Sequence, residues 1–309
     1  YTTLFRSIRI EKESAELREE EAGLSRVLGD RKELTRVVVR EITEDAKRFG
    51  DDRRTLMEAV APTAAAEVAI PDEPVTVILS QNGWVRTRQG HGIDPASINY
   101  KAGDFPHLVA ESRTVWPLVI IDTLGRAYSL RVADLPGGRG DGVPVTTMIE
   151  LQDGAKLARA MTDAPEARYL FANSGGYGFV AALSDLVSRN RSGKAFMTMA
   201  KGEKPVAPAK VAGDTVGAVT QGGRLLVFPL AEMKEMAKGR GLMLQHLAPK
   251  DELAAVAVGD GKSFTVEGAG RGGKAMEWKV GAREMENYRA TRARKGHAIP
   301  QKWKPTGLK

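Results

Sequence analysis

Twelve basic residues fall on strand pairs that turn at glycine, or on the glycine-containing loops that follow them, and the group such residues are suited to hold is phosphate. They are Arg86, Arg88, Arg126, Arg139, Arg189, Arg191, Lys194, Arg224, Lys238, Arg240, Arg271 and Lys274. Arg and Lys meet a nucleic-acid backbone without reading bases. Glycine beside them lets that backbone approach closely and leaves N–H groups facing phosphate oxygens. Other chemistries fit poorly. Cysteine is absent, and His91, His107, His246 and His297 have no metal-ligand spacing, so no metal site is read. Gly137–Gly140 and Gly270–Lys274 are glycine-rich, but a P-loop ends in Gly-Lys-Ser/Thr and Lys274 is followed by Ala275. Asp51-Asp52 reads as a charge cluster before Arg53-Arg54. No catalytic set emerges.

The elements that would position these residues repeat. Val75, Val77 and Leu79 alternate in the manner of a strand, Asn82-Gly83 predicts a type I′ turn, and Trp84, Arg86 and Arg88 share one face of the return strand. Comparable turns lie at Gly125, Gly176, Gly223 and Gly273, separated by 42, 51, 47 and 50 residues. Four are followed by a short acidic–apolar marker: Ala133-Asp134-Leu135, Ser184-Asp185-Leu186, Ala231-Glu232-Met233 and Arg283-Glu284-Met285. A basic glycine loop comes next, at 138–140, 189–194, 238–241 and 294–296. Such a period predicts five propeller-like blades, the last degenerate, each covering its neighbour's apolar face. Trp84, Tyr128, Phe179, Phe228 and Trp278 are expected in the blade core. If rotation relates the blades, their basic loops form one curved track.

The first part of the chain is different. Residues 1–7 match no pattern. From Ile8 to Leu28 composition favours a helix, and Asp30-Arg31-Lys32-Glu33 predicts a capping box opening a second helix that Gly50 stops. The short connection predicts an antiparallel pair. Residues 59–72 are Ala- and Pro-rich and read as a linker. Residues 1–70 carry 13 basic and 15 acidic side chains and the remainder 33 and 24, so the net charge of +7 belongs to the repeats. Nucleic acid is the partner such an excess suits. No apolar run approaches the roughly 20 residues that span a bilayer, and the lack of cysteine fits a reducing cytoplasm.

The segments FGDDRRT, EPVTVILSQNGWVRTRQGH, NYKAGD, SGGYGFVAALSDLVSRNRSGKA and QGGRLLVFPLAEM resemble the A subunits of bacterial DNA topoisomerase IV, with the A subunit of DNA gyrase as the close relative. The resemblance runs from about Ile8 to the C terminus. It implies that residues 8–58 are the helical end of the breakage-reunion region, at the dimer gate. It implies that residues 73–309 form a mainly β, five-bladed β-pinwheel, a propeller relative that exchanges strands between blades and binds and bends duplex DNA on its outer rim. The family's catalytic tyrosine and its winged helix are expected N-terminal to Tyr1, which lacks the surrounding motif. Gyrase carries a Gln-Arg-Arg-Gly-Gly-type box, where this chain has Arg88-Gln89-Gly90-His91-Gly92. That favours topoisomerase IV, hence bending and DNA capture over active supercoiling. The resemblance also implies a homodimer of A subunits, a B subunit supplying Mg2+ and ATP chemistry in an A2B2 assembly, and a cytoplasmic, nucleoid-associated setting.

Two other readings stand beside this: a gyrase-type DNA-wrapping domain, and a propeller-like protein-interaction scaffold whose basic surface is incidental. Basic residues gathered at equivalent blade loops argue against the scaffold.

Overall fold

The computed structural model describes residues 2–51, 71–138 and 140–309. The chain divides into two units, 1–68 and 69–309.

In the first unit helix α1 runs Thr2–Gly29 and α2 runs Arg31–Phe49. Residues 2–7, expected to stand apart, continue α1. Asp30 caps α2 through its side chain, which accepts from the Lys32 N–H at 2.8 Å. The expected capping box is half made. The Asp30 N–H is already bonded to the Arg26 carbonyl of α1 (3.1 Å), and Glu33 turns instead to Arg36. Gly50 ends α2, its N–H returning to Ala46. No α2 residue is buried, and Ile42 on its apolar stripe is 62% exposed. The predicted linker falls largely on residues 52–70, outside the described residues. Its described end is tied down, with Asp72 paired to Arg113 at 2.6 Å.

Among its described residues the second unit is five antiparallel sheets, four of four strands and one of three. Each begins as the predicted hairpin. Pro74–Ser80 pairs with Trp84–Gln89, Pro117–Asp122 with Arg126–Arg131, and Arg168–Ala172 with Tyr177–Ala182. Thr215–Thr220 pairs with Arg224–Pro229, and Ser263–Ala269 with Ala275–Gly281. An inner strand then joins the first hairpin strand on its free side: Pro106–Arg113, Leu157–Thr162, Ala209–Lys210, Leu253–Gly259 and Lys304–Leu308 respectively.

The outer strand of each four-stranded blade arrives from farther on. Val143–Pro144 pairs with the first blade's return strand only after the second blade's hairpin has been made. Lys194–Ala195, Leu242–Met243 and His297–Ala298 repeat this in the next three blades. These are the exchanged strands of a pinwheel. The fifth blade, ending at Leu308, has no such strand among the described residues.

The turns differ from expectation in one respect. Gly83 has φ +82°, but Asn82 does not enter the positive-φ region, so the turn is not type I′. The Gly83 N–H bonds to Ser80 O at 3.0 Å, and this pattern, a tight turn closed by a left-handed glycine, recurs at Gly125, Gly176 and Gly223.

Four apolar cores lie between successive blades, from the first and second to the fourth and fifth. None of them joins the fifth blade to the first among the described residues. The acidic–apolar markers lie at short helical turns after the return strands, and Leu135, Leu186 and Met285 are buried there. Tyr128, Phe179 and Phe228 are fully buried as expected. Phe196 packs edge-on against Phe171 and Phe179, at 4.8 and 5.2 Å. Burying each such ring contributes about 2–3 kcal/mol. Trp84 departs from expectation: it is half-buried, with the Lys101 ammonium 3.2 Å from its ring centroid. Trp278 is also half-buried, edge-on to Tyr288.

Candidate nucleic-acid interface

The basic glycine loops are the segments that deliver the exchanged strands, so they lie on the outer edge of the blades. Each delivery requires one glycine. Gly142, Gly193, Gly241 and Gly296 all have positive φ, and a Cβ on any of them would overlap a carbonyl oxygen of the return strand beneath, on Val85, Ala127, Gly178 and Leu225 respectively. Those four carbonyls belong to the second residue of each return strand, so one local geometry occurs four times.

The first residue of the return strand completes the unit. It is Trp84, Arg126, Tyr177 and Arg224 in turn, each half-buried. Its N–H is held by a polar side chain four residues earlier: Ser80 Oγ (3.0 Å), Asp122 Oδ1 (2.9 Å), Asn173 Oδ1 (3.0 Å) and Thr220 Oγ1 (3.3 Å). A cation is at or over every one. Arg126 and Arg224 supply it themselves. Over the two aromatics it is Lys101 on Trp84 and Arg240 on Tyr177, the latter 4.3 Å from the centroid.

Several of the candidate cations hold the loops in place. The Arg126 guanidinium donates to Ser192 O (2.7 Å) and Gly193 O (3.0 Å), and Arg224 donates to Gly296 O at 3.1 Å. Arg86 is buried, 7% exposed, and donates to Gly140 O and Asn99 O. It occupies the core-facing register position that Tyr128 and Phe179 hold in the next two blades. Beside it the half-buried Tyr100 phenol has its pKa pushed up by burial, against the opposing pull of Arg86. Arg240 is ion-paired at 2.7 Å to Glu203, whose other oxygen accepts from Asn173 and from the Ala200 N–H.

The remaining candidates are more open. Arg189 and Lys238 are exposed on their loops, and Lys274 is exposed after the short turn Arg271–Gly273. Arg191 is exposed and reaches back to Thr147 O and Met148 O, tying its loop to the turn that follows Val143–Pro144. Lys194 opens an exchanged strand and donates to Val187 O at 2.9 Å. Arg189 and Arg191, together with Arg131, line an open pocket of about 570 Å³. Arg139 lies outside the described residues.

Arg88 is half-buried and adjoins a loop that is not of the rim type. That loop, through Gly92, is fastened to the inner strand by His91 Nε2 and Ser112 O (2.8 Å) and by Gly92 N–H to Glu111 Oε1 (2.9 Å). The first blade's own rim loop is 137–142. Lys101, Arg131 and Glu203 belong to the rim, and sequence reasoning does not find them. Nor does it find the Ser/Asp/Asn/Thr position three residues before each turn glycine, a signal visible once the turns are aligned.

A family model described as DNA gyrase C-terminal domain, beta-propeller, matches residues 168–211 and 218–260. The chain is 39% identical over 306 residues to the A subunit of DNA topoisomerase 4 from Neisseria gonorrhoeae, covering 94% of this chain and 38% of that protein. The protein of the same name from Escherichia coli K12 is 37% identical over 238 residues, 76% of this chain and 32% of that one. The chain thus spans about a third to two fifths of the length of these relatives. Among solved structures, the E. coli ParC C-terminal domain superposes with a TM-score of 0.68 at 32% identity, covering 77% of this chain and 98% of that one.

Proposed function

The chain belongs to the family of DNA topoisomerase IV A subunits, whose C-terminal domain it carries, and on that premise we propose that its blades bind and bend duplex DNA along the outer rim. The observation that carries this reading is the fourfold rim unit: a left-handed glycine, an exchanged strand and a basic side chain at or over the first residue of the return strand in four successive blades. Successive blades present these units in the same orientation to a backbone that runs past them. Contacts made this way are to phosphate and carry no base readout. Bending costs of order a few kcal/mol, which several charge-assisted contacts offset.

In the whole enzyme this module would capture and present DNA crossings for decatenation and relaxation. Cleavage would come from the tyrosine of the preceding region of the same polypeptide, and Mg2+ and ATP hydrolysis from a B subunit in an A2B2 assembly in the cytoplasm. The chain 1–309 alone is expected to neither cleave DNA nor hydrolyse ATP. No described helix is long and apolar enough to cross a membrane.

The test is duplex binding across a salt series, with end-to-end energy transfer reporting the bend. With four to six phosphates contacted, affinity should fall on the order of 10²–10³-fold between about 50 and 200 mM salt, whatever the sequence. Weak binding that leaves the duplex straight would refute the reading and leave the protein-interaction scaffold.

A further inference from the structure

Away from the rim, the inner strands of the first two blades and residues of the third border a pocket of about 340 Å³. His107 is the second residue of the inner strand of the first blade and Arg159 lies in that of the second. Tyr169 and the segment Ala207-Pro208 close the pocket from the third. Both His107 and Arg159 are half-buried, and neither has a carboxylate partner among the described residues. Arg159 makes one protein hydrogen bond, Nε to Pro205 O at 3.3 Å, which leaves the other guanidinium donors for a ligand. Asp163, which bonds the pocket-lining Tyr169, is already engaged by Lys210 at 2.5 Å and by the Tyr169 hydroxyl at 2.7 Å.

A half-buried guanidinium facing a concave, partly apolar pocket is poorly compensated. Its planar donor fork matches an oxyanion far better than it matches a single carbonyl. The pocket wall is charged nowhere else: Pro106, Ala160, Met161, Ala207 and Pro208 are apolar and Gln81 adds a neutral amide. The environment agrees with this. Burial, and then the adjacent Arg159 charge, hold the His107 imidazole below its usual pKa, so a bound anion would stabilise its protonated form.

We propose that this hub pocket is a binding site for a small phosphate-type oxyanion, gripped by Arg159 and by the His107 ring. It is separate from the rim loops, since none of the described basic residues of those loops lines it.

The test is to titrate inorganic phosphate into the chain 1–309 in a chloride buffer of constant ionic strength. Binding is read by calorimetry and by the His107 ring resonances. One saturable site, with a His107 shift and a rise in its pKa, is expected. Arg159→Gln should weaken phosphate binding at least tenfold. Because Arg159→Gln also removes the bond to Pro205, Ala207→Glu provides a second variant. It alters an exposed residue and sets a carboxylate at the pocket mouth, and it should abolish phosphate binding while the thermal transition stays in place. Both variants should bind duplex DNA as the parent does, which separates this proposal from the rim reading. Phosphate acting no differently from chloride, or binding that survives both variants, would overturn the proposal. Full displacement of phosphate by a duplex would overturn it too, because the pocket would then be a stretch of the DNA path.

Discussion

At the scale of single residues, the rim arginines are of two kinds that look alike in sequence. Arg126 commits its guanidinium to the Ser192 and Gly193 carbonyls, whereas Arg189 is exposed on its loop. Arg126→Ala should therefore lower stability by about 1–2 kcal/mol in urea unfolding, since two carbonyls lose their donor. Charge reversal of Arg189, Arg191 and Lys194 together should weaken duplex binding, with a stability cost of about 1–2 kcal/mol because the Thr147, Met148 and Val187 carbonyls lose their donors. It should also reduce the salt slope by about one unit for each phosphate no longer neutralised. If that triple variant binds and bends DNA normally, the loop is not on the DNA path. Asp163 supplies a pH prediction. Burial acts to raise its carboxyl, but the hydrogen bonds from Lys210, Tyr169 and Ala164 outweigh it, so its pKa is lowered. A carboxyl with a depressed folded pKa contributes stability that is full above the ordinary carboxylate value of about 3.9 and is lost as pH falls through the lowered one. The stability gap between the parent and Asp163→Asn should accordingly be constant near neutrality and narrow below about pH 4. A gap that stays unchanged down to pH 2 would rule that linkage out.

At the scale of elements, the decisive part is the glycine that admits the exchanged strand. Gly193 has φ +61° and is buried over Ala127 and Tyr128. Gly193→Ala should cost about 1–3 kcal/mol from backbone strain alone, with more from overlap with the Ala127 carbonyl. The damage should be local. The 188–194 loop should lose hydrogen-exchange protection and DNA affinity should drop, while the hairpin Arg168–Ala182 keeps its protection. Gly90, which has a positive φ but open space around it, is the control: a substitution there meets only the backbone penalty.

At the scale of the whole molecule, the series of blades is held by four apolar joints and has unequal ends. The first blade receives an exchanged strand from beyond the second blade's hairpin, but the fifth has three strands and shares a core only with the fourth among the described residues. Cooperative protection should follow that asymmetry. Amides of Ser263–Gly281 should exchange faster than those of Arg168–Ala182, which lie between two cores and carry an exchanged strand. Equal protection in both segments would mean that the fifth blade is braced by interactions other than these.

Much of this protein was determined by its sequence alone. The blade number, the turn glycines, the acidic–apolar markers and the surplus of positive charge beyond residue 70 are all local or compositional, and the hairpins form between neighbouring segments. Strand exchange, in contrast, was reached only through the family resemblance. An exchanged strand is two residues long, too short to carry a period, and its partner is a return strand on the far side of another hairpin. The division of the arginines into loop clasps and exposed cations was not legible at all. The Arg86, Arg126 and Arg224 guanidiniums end on backbone carbonyls 54, 66 and 72 residues away. A carbonyl has no side-chain signature, so only the tertiary structure could decide which arginines it would claim.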